Sequence, residues 1–317
     1  MIRSYPNFIT LQQHRKETSQ VSEKKRIPEK YQAIIYIILS AFCFAVMNLF
    51  VRMSGDLPAF QKSFFRNLVA VFFAFVILMK NKSGFRWKQG NLKYLLLRAG
   101  IGTVGIVCNF YALGHIPLSD ASILNKMSPF FVILFSWMLL KEKLTFFQGA
   151  AVLTAFVGTL FIIKPSFRNI DLLPSAIGLL GGLCAGFAYT MVRILGNRHE
   201  NGSLIVFFFS GFSCLSMLPF LIFDFHPMEL SQVLMLLGAG LAATGGQFSI
   251  TAAYCHAPAR EISVYDYSQI IFSTLLGFLF LGELPDVYSV IGYVIIVAMA
   301  VLMFFYNNHK GIFKNRK

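Results

Sequence analysis

Ten stretches of mostly apolar residues recur along this chain, each close to the roughly 17 to 25 residues that a helix needs to cross a bilayer. They cover 33–53, 60–79, 94–113, 121–140, 147–163, 174–195, 203–223, 230–254, 262–281 and 288–306. Inside lipid the backbone must satisfy its own N–H and C=O groups, which leaves segments of this kind the α-helix. The expected fold class is therefore all-α integral membrane, with ten transmembrane helices. Composition agrees, since 56% of the residues are hydrophobic and only 13% are charged. Runs such as Phe207, Phe208 and Phe209 would leave a soluble protein with a large apolar surface.

The net charge of +14 is read as orientation, not as affinity for nucleic acid. With the N-terminus inside, 21 Lys and Arg residues fall in cytoplasmic segments, while Arg52, Lys62, Lys164 and Arg168 lie on the other side. Arg66, Arg98 and Lys126 fall within spans. The positive-inside rule then places both termini in the cytoplasm of a multi-pass protein of the cytoplasmic (inner) membrane. Residues 1–32 lack the apolar core and cleavage site of a secretory signal and are expected to form a disordered basic cytoplasmic tail. Residues 307–317 are expected to form a second basic tail. Cys43, Cys108, Cys184, Cys214 and Cys255 all sit in apolar segments without a CxxC pair, as packing residues do.

An offset of 141 residues relates the two halves. It joins His115-Ile116-Pro117 to His256-Ala257-Pro258, Val51-Arg52 to Val192-Arg193, Cys43 to Cys184, Thr103 to Thr244, Ser122 to Ser263 and Glu142 to Glu283. Apolar matches arise cheaply in membrane segments, but a constant register of His, Pro, Arg, Cys and Glu without a gap does not. Two repeats follow, at 33–163 and 174–306. Five crossings per copy is an odd number, so the copies are inverted relative to one another, as in carriers that bind substrate at the repeat interface.

The ordered set of motifs resembles the EamA branch of the drug/metabolite transporter superfamily. It comprises Phe64-Phe65-Arg66-Asn67 at the start of the second span, Leu140-Lys141-Glu142 after the fourth, Lys164-Pro165 closing the fifth, and Leu281-Gly282-Glu283-Leu284-Pro285-Asp286 after the ninth. The resemblance implies a ten-helix metabolite carrier whose central helices line the pathway. Two departures matter for substrate: Pro129 has Ile270 as its mate, and Arg66 has Phe207.

Ser122, Asn125 and Ser128 share one helical face, and their mates are Ser263, Asp266 and Gln269. The duplicated polar stripe is read as cavity wall or as interhelical hydrogen-bonding glue. Asp266 needs compensation in a span, from Lys126, from a substrate ammonium group or from a proton, unless it lies near enough to the cytoplasmic end to be hydrated. Thr244, Gln247, Thr251 and Tyr254 form a second stripe on the eighth span, beside Gly245-Gly246. Asn48 and its mate Tyr189 occupy equivalent positions on the first and sixth spans. Arg66 either grips a carboxylate or snorkels to the headgroups, whereas Arg98 is expected to anchor the cytoplasmic edge. Candidate substrate-binding residues are thus Asn48, Arg66, Asn125, Lys126, Ser128, Tyr189, Gln247, Tyr254, Asp266 and Gln269.

Glu142 and Glu283 end spans on opposite faces, as helix terminators or gates. His115 and His256 lack ligands at metal spacing, and no cofactor is expected. The chain shows no HExxH, GxSxG or Walker glycine loop, which argues against an embedded enzyme. Internal symmetry argues against a channel built by oligomerisation. The expected activity is secondary transport of a small polar metabolite, such as an amino acid, by alternating access, with the bilayer and protons as further partners and a monomer or homodimer as the unit.

Overall fold

The computed structural model describes residues 28–80, 84–115, 124–163, 172–282 and 284–314. All regular structure among them is helical. The first repeat holds α1 (Glu29–Met53), α2 (Ala59–Lys80), α3 (Leu92–His115), α4 (Ser128–Leu140) and α5 (Phe146–Ile163). The second holds α6 (Leu172–Asn197), α7 (Gly202–Phe223), α8 (Leu230–His256), the single turn α9 (Ala259–Ile262), a 3-10 segment (Ser263–Tyr267), α10 (Ser268–Leu281) and α11 (Val287–Lys314). Ends are set by local chemistry: the Asn201 side chain accepts from Ser203 N at 2.9 Å to start α7, and Glu229 with Gln232 forms a capping box at α8. Expected tail residues 307–314 continue α11 as helix.

Among the described residues eight segments are long and apolar enough to cross a membrane; of the two shorter apolar helices, Ser128–Leu140 falls short of the expected fourth span, while α5 matches the expected fifth to within one residue. The expected ninth span also differs, because its first third is not α-helix. It runs as a turn and a 3-10 segment before α10 begins. In the first repeat, Leu124 to Met127 form a helical turn, and Pro129 sits at the start of α4, where a missing N–H costs nothing. Each repeat therefore contributes a half-length helix whose N-terminus lies inside the bundle. The two half-helices stop alike: Lys141 and Gly282, 141 positions apart, both take left-handed conformations, with φ of 56° and 69°.

The helices pack mainly across the halves. α1 lies along α8 and α3 lies along α6, a symmetry-related pair under the 141-residue offset; α1 with α10 and α6 with α4 form another. The pairings of α2 with α7 and α5 with α11 map onto themselves. Outward-facing positions are apolar, among them Phe72, Leu215, Leu279 and Val294, while Ser40, Asn67, Thr103, Thr190, Ser213 and Thr251 are buried. A polar interior within a greasy exterior is the arrangement lipid favours.

Candidate functional site

The half-helices bring the duplicated stripe together. Lys126, just before α4, reaches Asp266, just before α10: Lys126 Nζ donates to Asp266 Oδ2 at 2.9 Å and to Gln269 Oε1 at 2.7 Å. Tyr267, the repeat mate of Lys126, donates from its hydroxyl to the Lys126 carbonyl at 3.4 Å. Asp266 is 9% exposed, and its ion-pair partner is Lys126. The 3-10 segment explains why a three-residue spacing works here, since three residues make one full turn and stack positions 263 and 266 on one face.

Around this ion pair lies a cavity of about 740 Å³, lined by Asn48, Arg66, Asn125, Lys126, Ser128, Tyr189, Gln247, Asp266 and Gln269. That size suits a small metabolite, since ligand cavities run from roughly 300 to 1,000 Å³. Nine of the ten candidate residues thus face one space. Tyr254 does not line it: it stands behind the wall, 2% exposed, with its ring stacked on Tyr189 at 5.2 Å. Its position at the end of the Thr244 stripe puts it past the cavity floor. Thr244 and Ser263 also turn inward, to the Gly240 and Ala259 carbonyls. Ser122 and Glu283 lie outside the described residues.

Arg66 is buried at 7% exposure and does not snorkel; its guanidinium lies 5.9 Å from the centroid of the Phe44 ring. Arg98, expected as an anchor, is 3% exposed and lines the same cavity. Its Nη2 donates to Gln247 Oε1 at 3.3 Å, and its guanidinium lies over Phe209 at 3.9 Å. Gly102 makes room for it, because a Cβ there would overlap an Arg98 terminal nitrogen. A signal was present in the sequence. Arg98, Gly102, Gly105 and Asn109 repeat at i, i+4, i+7 and i+11, and all four line the cavity.

The cavity reaches the α1–α2 loop, where Gly55, Asp56 and Leu57 form its rim. The opposite end is shut. There Arg193 Nε donates to Glu142 Oε1 at 3.2 Å, and Arg193 Nη1 reaches the Tyr254 and Cys255 carbonyls at 3.3 and 3.2 Å. Each half supplies one member of this ion pair. His115 and His256 bond to carbonyls of their own helices, at Tyr111 and Ala252.

The family described as "EamA-like transporter family" matches the chain twice, over residues 32–164 and 173–305, copies set apart by the same 141 residues. A relative named pseudopaline exporter, from Pseudomonas aeruginosa, is 35% identical over 272 residues, covering 85% of this chain and 95% of its own length. Solute carrier family 35 member G1 from Homo sapiens is 27% identical over 292 residues, covering 88% and 80%. A solved protein structure superposes with a TM-score of 0.77 at 16% identity, over 87% of this chain and 98% of that one, a likeness of fold.

Proposed function

Because the chain belongs to the EamA-like transporter family and is a multi-pass membrane transporter, we propose that it is a secondary carrier that moves a small polar metabolite across the cytoplasmic membrane by alternating access. The observation that carries this reading is the polar cavity at the crossing of the two repeats, reaching one face and shut at the other by Arg193 and Glu142. Ten crossings are part of the proposal, with α4 crossing together with the helical turn at Leu124 to Met127 and α5 crossing by itself. Both termini are cytoplasmic, as the distribution of Lys and Arg favours. The cavity then opens outward, and the Arg193–Glu142 pair closes the cytoplasmic side. The two half-helix N-termini meet near the bilayer midplane, the place where carriers of this repeat architecture hold substrate. The Pseudomonas relative, a pseudopaline exporter, supports export as the direction.

The test is counterflow. Purified protein in proteoliposomes is loaded with one unlabelled compound from a panel of amino acids, carboxylated amino acid derivatives, flavins and nucleosides, and the labelled form is added outside. Saturable accumulation of one compound is expected. Flux that rises linearly with concentration and is not stimulated from the far side would instead show a channel, and would sink the carrier reading.

A further inference from the structure

The charges lining the cavity do not cancel. Its cations are Arg52, Lys62, Arg66, Arg98 and Lys126, and its carboxylates are Asp56 and Asp266. Lys126 is matched by Asp266, and Lys62, at the rim beside Asp56, donates to the Gly55 carbonyl at 2.7 Å. Deeper in, Arg66 and Arg98 are more than nine-tenths buried. Among the described residues, neither has a carboxylate at ion-pair distance, and the Nε of each has no hydrogen-bond partner. Their ring and hydrogen-bond contacts are neutral, namely the Phe44, Phe209 and Tyr189 rings and one oxygen of Gln247, and the charged group that each feels is the other guanidinium. The two sites adjoin, since Phe44 packs against Gly246, the neighbour of Gln247.

Buried guanidinium groups are kept where something neutralises them. Their planar fork fits carboxylate and phosphate oxygens two at a time. The N-termini of α4 and α10 turn their positive dipole ends to the same region. The geometry points to a substrate that supplies the missing anions: a metabolite with at least two acid groups, one held by Arg66 and one by Arg98, with Gln247 orienting the second. Carboxylate and phosphate share the required chemistry. This inference rests on the carrier reading, deepens it to a substrate class, and makes Arg66 and Arg98 the residues that set specificity.

The probes are matched pairs: citrate and glutamate against alanine, glucose 1,6-bisphosphate against glucose, and 3-phosphoglycerate against glycerate. Thermal unfolding of the purified full chain is followed with each at millimolar concentration. At least one multi-acid probe is expected to raise the melting temperature, its neutral or mono-acid partner is expected not to, and the pairs separate carboxylate from phosphate preference. Arg98→Gln and Arg66→Gln should abolish that shift while raising the melting temperature of the ligand-free protein, because each removes an unmatched buried charge. Arg98→Lys and Arg66→Lys should keep a reduced shift. Equal protection by the neutral partners, no protection by any acid probe, or a lower ligand-free melting temperature in both Gln variants would overturn the proposal. Counterflow of a neutral compound, unchanged by Arg98→Gln, would overturn it too while leaving the carrier reading in place.

Discussion

A lysine and an aspartate held 2.9 Å apart with little exposed side chain stabilise each other's charge, and each becomes a liability when the other is removed. Deleting one partner of such a pair costs about 3–5 kcal/mol, whereas replacing both with groups of similar shape is often neutral. Lys126→Met and Asp266→Asn are each expected to lower the melting temperature, and the double variant to recover most of the loss. Additive losses across this double-mutant cycle would show that the pair is not coupled. The same contact offers a route to proton coupling: an anionic substrate that draws Lys126 away leaves Asp266 unmatched and ready to take a proton. Asp266→Asn should then retain counterflow and lose its response to an imposed pH gradient, a result read by labelled uptake with and without the gradient. Polar side chains inside spans were legible from sequence, and nine of the ten named for the site share one cavity. Arg98 was misread because its place toward the cytoplasmic end of its span does not tell the direction it faces, and that direction depends on the room left at Gly102 one turn on. Tyr254 was named for its stripe, yet a stripe continues past the end of a cavity that only packing defines.

At the level of the element, close approach decides what the half-helices can do. A Cβ at Gly186 on α6 would fall 2.5 Å from Phe131 Cβ and 2.8 Å from the Val132 backbone nitrogen, both near the start of α4. Backbone cannot yield as a side chain can, so Gly186→Ala should push α4 off α6 at a cost of about 1–3 kcal/mol and carry Lys126 with it. Gly149→Ala, whose Cβ would meet only Leu144 at 3.4 Å, is the matched control and should be nearly silent. Melting temperatures of the two variants check this. Apart from the starts of α4 and α10 and the end of α11, helix positions were legible to within a few residues, because apolar length is a property of the chain alone. The break before α10 was not: Ile270 replaces the proline that marks the corresponding break in the first repeat. A 3-10 segment held by tertiary contacts leaves no local signature when proline is absent.

For the molecule as a whole, the main helix pairings cross between repeats, so neither half buries its own polar face. Residues 1–163 or 172–317 expressed alone should be degraded or aggregate. Co-expressed as two chains divided within residues 164–171, they should reassemble and co-purify, with counterflow restored. A stable, monodisperse single half would contradict this. The duplication was legible because it is written in register, and the inverted arrangement followed from an odd number of spans. Which interfaces carry the fold was not legible, since apolar surfaces facing lipid and facing a partner helix have similar compositions.

The two guanidinium groups left without counter-ions also give the empty carrier an electrical character. With the proposed diacid in place, the centre is near neutral; without it, the protein reorients with two positive charges in the cavity, and the membrane field acts on that step alone. Each charge that crosses the full field is worth about 2.3 kcal/mol per 100 mV. A potential negative inside would therefore draw the unloaded cavity back toward the cytoplasm, powering the return stroke of an exporter without any energy-supplying partner. Current recorded on a supported membrane should accompany the empty step, reverse with the sign of the voltage and shrink in Arg98→Gln; voltage-independent turnover would show that these charges do not move through the field.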